Sequence, residues 1–137
     1  MKVLKIIFAS IAVFVIQTGI NMVTCGWLFK WVYDLEPTYV WKSMSCPPGS
    51  DFFLGSFLLD LLFVLVYVLM AEGIPGKGAV TKGMTYGIFI FATGILPGMF
   101  ATYTFTNISP VVVMYWTFLG LAKVSILGAI AASIYGE

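Results

Sequence analysis

Apolar residues run almost unbroken through four stretches of the chain, at about 3–28, 52–71, 79–105 and 111–135, and polar residues gather between them. Each stretch is long enough to cross a hydrocarbon core of about 30 Å as a helix of roughly 20 residues. Strands do not fit, because the runs lack the short alternation of a membrane barrel. In lipid the backbone must satisfy its own hydrogen bonds, which leaves helices. The pattern therefore predicts an all-α, polytopic transmembrane four-helix bundle, one domain over residues 1–137.

The breaks between spans are readable in the same way. Gly73-Ile74-Pro75-Gly76-Lys77-Gly78 ends the second helix and turns the chain. Asn107-Ile108-Ser109-Pro110 is a tight turn, with Ser109 as the predicted N-cap and Pro110 at the first helical position. The one sizeable loop covers about 33–51 and contains Cys46-Pro47-Pro48-Gly49, which cannot lie inside a helix. Pro97 is expected to kink the third span. The start, Met1-Lys2-Val3-Leu4-Lys5 before an apolar run, resembles a signal peptide, and Met22-Val23-Thr24-Cys25 hints at a lipoprotein box. Thr24 suits that cleavage poorly, so the first span is read as uncleaved.

Composition narrows the function classes. Of the 137 residues, 61% are hydrophobic and 9% charged, against about 25% charged in an ordinary soluble domain. That excludes an ordinary soluble enzyme and a disordered chain. The net charge of +1 offers no field for nucleic acid. The chain has no histidine and no arginine, hence no imidazole base or metal ligand and no bidentate phosphate fork. No metal site and no cofactor is expected. A Gly73-xx-Gly76-Lys77-Gly78 likeness to a phosphate loop fails on spacing and on the missing Ser or Thr.

Lysines set the expected orientation. Lys2, Lys5, Lys77 and Lys82 flank one side, and Lys30 and Lys42 lie on the other with Asp34, Glu36 and Asp51. The lysine excess places both termini in the cytoplasm, in a prokaryotic cytoplasmic membrane. Trp27, Trp31, Trp41 and Trp116, with Tyr33, Tyr39 and Tyr115, then fall toward the outer interface. They read as an aromatic belt or as the mouth of a ligand site.

Polar residues inside the spans are the candidate chemistry. Ser10, Gln17, Asn21 and Thr24 share one face of the first helix, and Ser56, Asp60 and Tyr67 share one face of the second. Asp60 lies about 12 Å below the outer edge and Lys123 about 18 Å below it, at 1.5 Å per residue. Charges at that depth are functional candidates by default. Asp60, Lys123, Gln17, Asn21 and Tyr67 are therefore the expected intramembrane polar or ion-pair site, with a direct Asp60–Lys123 pair as one reading. Gly83-xxx-Gly87 and Gly94-xxx-Gly98 in the third span, and Gly128 and Ala132 in the fourth, are expected helix-packing positions. Such faces serve either within one chain or between copies. Cys25 and Cys46 leave open a disulfide or two free thiols.

Trp31, Tyr33, Trp41, Gly76-Lys77-Gly78, Gly83, Gly87, Pro97, Trp116 and Ile134-Tyr135 together form a pattern along nearly the whole chain. In it the chain resembles small four-span prokaryotic integral membrane proteins of unknown function. The resemblance implies the four-helix fold and no activity, and Lys123 lies outside it. The expected function is a non-enzymatic membrane module, self-assembling or an accessory subunit of a larger membrane complex, with the lipid bilayer as its first partner. The alternative is a small transporter or channel component using Gln17, Asn21, Asp60 and Lys123.

Overall fold

The computed structural model describes residues 1–41 and 48–136. Lys42 and Cys46, and with Cys46 the disulfide reading, lie outside the described residues. The chain is all-α, with four long apolar helical spans. Helix α1 covers Lys2–Val23 and continues as a π turn, Thr24–Leu28, to complete the first span. A short 3₁₀ helix follows at Lys30–Asp34. Helix α2 is Ser50–Met70. The third span, Ala79–Phe105, consists of α3 (Ala79–Ile90), a π turn (Phe91–Ile95) and α4 (Leu96–Phe105). Helix α5 is Pro110–Tyr135. Each span agrees with its expected bounds to within two residues.

The irregular turns have local causes. Pro97 has no N–H to continue the ladder, and just before it the Leu96 N–H reaches back five residues to the Phe91 carbonyl. In the first span the Phe29 N–H makes the same long reach to the Thr24 carbonyl, at 2.8 Å. Gly76 and Gly78 reverse the chain between α2 and α3 with φ of 149° and 91°, where a side chain would be strained. Ser109 stands at the N-cap of α5 with Pro110 first in the helix. It caps through its backbone carbonyl, which accepts from the N–H groups of Val112 and Val113, and not through its hydroxyl.

Consecutive spans run antiparallel, and the last of them, α5, touches every other long helix. Two ends can be distinguished: the terminal end, where Lys5 Nζ donates to the Tyr135 carbonyl at 3.3 Å, and the loop end, which carries the connection between α1 and α2. Helix α5 packs against α1, α2, α3 and α4.

Its approach to α3 is the tightest in the molecule, because glycines face each other. A Cβ on Gly83 would overlap the Gly128 carbonyl oxygen and lie 2.7 Å from Ala129 Cα. A Cβ on Gly87 would overlap the Val124 carbonyl oxygen and lie 2.8 Å from Ser125 Cα. Ala132, fully buried, continues the contact toward the terminal end. Between α2 and α3 the spacers are large. Tyr86 is fully buried against Phe63 and Tyr67, with ring centroids 4.9 and 5.4 Å away. Its hydroxyl donates to the Phe63 carbonyl at 2.6 Å. That carbonyl keeps a second lone pair for this bond. Tyr86→Phe is expected to lower stability by about 0.5–1.5 kcal/mol, read as a shifted unfolding midpoint in mixed micelles.

Candidate functional site

The polar residues of α1 recur every fourth position, so Gln17, Asn21 and Cys25 lie above one another on the face turned to the bundle. Below them on the same stripe come Val13 and Ala9, both fully buried. One helix face thus passes from apolar at the terminal end to polar at the loop end.

Each polar step meets a partner from another helix. Gln17 Nε2 donates to Asp60 Oδ2 of α2 at 3.4 Å. Asp60 is 3% exposed. One turn higher, Lys123 Nζ of α5 donates to Asn21 Oδ1 at 3.3 Å. Another turn higher, the Cys25 thiol and the Tyr115 hydroxyl share a hydrogen bond of 3.6 Å. Thr24 Oγ1 lies 3.8 Å from the same sulfur and makes its shorter bond, 2.6 Å, to the Ile20 carbonyl.

Asp60 and Lys123 therefore do not form a direct ion pair. Among the described residues neither charge has an oppositely charged group within 4.0 Å; each is held by a carboxamide of α1. The reason lies in α1, which packs against both α2 and α5 and turns its polar stripe to them, giving Gln17 to one charge and Asn21 to the other. The two charges still attract each other. That attraction and the two hydrogen bonds offset part of the cost of burying each charge.

The other expected site residues go elsewhere. Tyr67 is fully buried but lies nearly two turns from Asp60 toward the terminal end, packed against Tyr86 and Tyr135. Ser10 turns its hydroxyl back to the Ile6 carbonyl at 2.8 Å, as small hydroxyl side chains in helices commonly do. Gly83, Gly87 and Gly128 meet each other between α3 and α5 within the one chain, whereas Gly94 and Gly98 face open space.

The aromatic residues divide into two sets. Trp27, Trp31 and Tyr39 point outward, 75%, 55% and 77% exposed, as a belt does. Tyr33, Trp41 and Trp116 turn inward and pack on one another, with centroids 5.1, 5.8 and 6.4 Å apart. Trp116 Nε1 donates to the Tyr33 hydroxyl at 2.9 Å. Burial raises the Tyr33 hydroxyl above the ordinary tyrosine range, assisted by the neighbouring thiol and opposed by the Trp116 donor. This cluster lies at the loop end, next to Cys25 and Tyr115. Composition placed these rings at one interface, but only the fold separates the outward belt from the inward-packed cluster.

The site is thus a polar ladder rather than an open pocket. Two shallow apolar grooves mark the surface, one along Val15–Val23 of α1 and one between α4 and α5, and neither reaches Asp60. Among the described residues no group of three acidic, cysteine or histidine side chains is placed to hold a metal ion. No protein-family model matches the chain, and neither the curated proteins nor the solved structures contain a match to it.

Proposed function

We propose that this protein is a small, non-enzymatic membrane module that works through helix faces buried in lipid, assembling with copies of itself or serving as an accessory subunit of a larger membrane complex. The observation that carries the reading is how the chain spends its contacts. The polar groups of the core are occupied by one another. The small-residue positions in the second half of the third span are not: Gly94 in the π turn and Gly98 in α4 meet nothing, beside exposed Leu96 and Phe100. Small residues at spacing four allow close helix approach in lipid, as Gly83 and Gly87 demonstrate within this chain.

The proposed setting is a prokaryotic cytoplasmic membrane with both termini inside. Lys2, Lys5, Lys77 and Lys82 at the terminal end support that orientation against Lys30 and Lys42 at the other.

Site-directed cross-linking tests the reading. In a background without Cys25 and Cys46, Gly98→Cys in native membranes is expected to yield a discrete cross-linked product, a dimer or one larger complex. Leu59→Cys, also exposed but on α2, is the control and should yield none. If Gly98→Cys gives only monomer while proteoliposomes show an ion flux that Asp60→Asn abolishes, the transporter reading replaces this one.

A further inference from the structure

The ladder is one-sided, and the assembly reading makes no use of that. From Asp60 toward the loop end, each turn offers a group that holds water or exchanges a proton: Gln17, Asn21 with Lys123, then Cys25 with Thr24 and Tyr115, then Tyr33. From Asp60 toward the terminal end the core changes character. Val13, Val64, Ala9, Leu127 and Ala131 are at most 2% exposed and pack as one apolar cluster. On that side Ser10 and Tyr86 give their hydroxyls to backbone carbonyls, those of Ile6 and Phe63. Water follows polar lining and is excluded from apolar layers of this kind.

We propose that Asp60 is a proton-binding site served from the loop end alone. A hydronium ion entering at that end gives its proton to an Asp60 carboxylate oxygen and leaves as water; release returns the proton to water along the same row. No electron moves and no other bond breaks. Gln17 suits both forms, because its carboxamide donates to the carboxylate through Nε2 and, turned over, accepts from the carboxylic acid through Oε1. Lys123 is the other charged group within the helical core, and Asn21 holds it one turn away. The titratable groups facing Asp60 from the packed elements are Lys123 and Tyr115 of α5, Cys25 of the first span, Tyr33 of the 3₁₀ helix, and, across the apolar cluster, Tyr86 of α3 and Tyr67 of its own helix. With a dry layer behind it, Asp60 reports the proton activity of one compartment and does not conduct.

The proposal goes beyond the assembly reading and does not depend on it, so its readout is spectroscopic. The full chain carrying ¹³C-carboxyl aspartate is reconstituted in one orientation in vesicles with impermeant buffer inside and out. Infrared difference spectra follow the protonated carboxyl band as each side is acidified in turn. Acidifying the loop side should raise an isotope-shifted carboxylic acid band that Asp60→Asn removes; acidifying the terminal side should leave it unchanged on the same timescale. Asn21→Leu should keep the band but slow its appearance, which a purely structural Asn21 would not do. If Asp60→Asn fails to fold, Asp60→Glu should move the band out of the labelled aspartate signal. No Asp60-dependent band under loop-side acidification, or an equal response from both sides, overturns the proposal, whatever the outcome of cross-linking at Gly98.

Discussion

Gly83→Val is expected to lower stability by about 3 kcal/mol or more and to abolish the folded bundle at ordinary temperatures, read by thermal unfolding in detergent with size-exclusion detection. A side chain at position 83 would enter the backbone of α5: the Gly128 carbonyl carbon lies 2.6 Å and Ala129 Cα 2.7 Å from the first added carbon. Those atoms belong to a helix that also packs on α1, α2 and α4, so the helix cannot withdraw without opening other contacts. Gly83→Ala should already be costly, because the overlap begins at Cβ. Gly98→Ala is the matched control. Position 98 meets nothing within 4 Å, so the change should stay within about 0.5 kcal/mol in the isolated protein. Equal effects at 83 and 98 would refute the close α3–α5 crossing.

The second large effect concerns the two core charges. Lys123→Met and Asp60→Leu are each expected to destabilise the protein by about 1–3 kcal/mol, since each leaves an amide partner unsatisfied and the opposite charge uncompensated. The double variant should cost less than the sum. Because Gln17 and Asn21 hold the charges, the ladder adds a sharper outcome. Gln17→Leu should be costly in the native chain and much cheaper in an Asp60→Leu background, for its Nε2 then has no carboxylate to serve. Chemical unfolding in mixed micelles measures all five variants. A cost for Gln17→Leu that is the same in both backgrounds would mean that the 3.4 Å contact contributes nothing.

What could be read from the sequence, and what could not, divides along a physical line. Span existence and bounds follow from hydropathy and length, quantities summed over some twenty residues, and Pro97 announces its own irregularity. The polar stripe on α1 was also legible, because four-residue spacing fixes a helix face whatever the neighbours are. The partners across that face were not. Asp60 and Lys123 invite direct pairing when depth alone is considered, yet depth says nothing about which helix packs against both. The packing of α1 against both α2 and α5 is what gives Gln17 and Asn21 those two charges as partners. Glycine spacing has the same limit. Gly83-xxx-Gly87 and Gly94-xxx-Gly98 are identical as patterns, but one faces α5 and the other faces outward. The π turn at Phe91–Ile95 separates the two, because its extra residue shifts the helix phase beyond it.

The central place of α5 bears on how the molecule is made. It is the last of the four spans to leave the ribosome, and it is the one on which α1, α3 and α4 all pack. Until it arrives, α3 has no partner for Gly83 and Gly87, and Asn21 has no lysine. The first two spans can already meet through Gln17 and Asp60, and α2 and α3 through Phe63 and Tyr86, but Asp60 stays without its countercharge, and the tightest crossing stays open, until the last span arrives to complete the bundle.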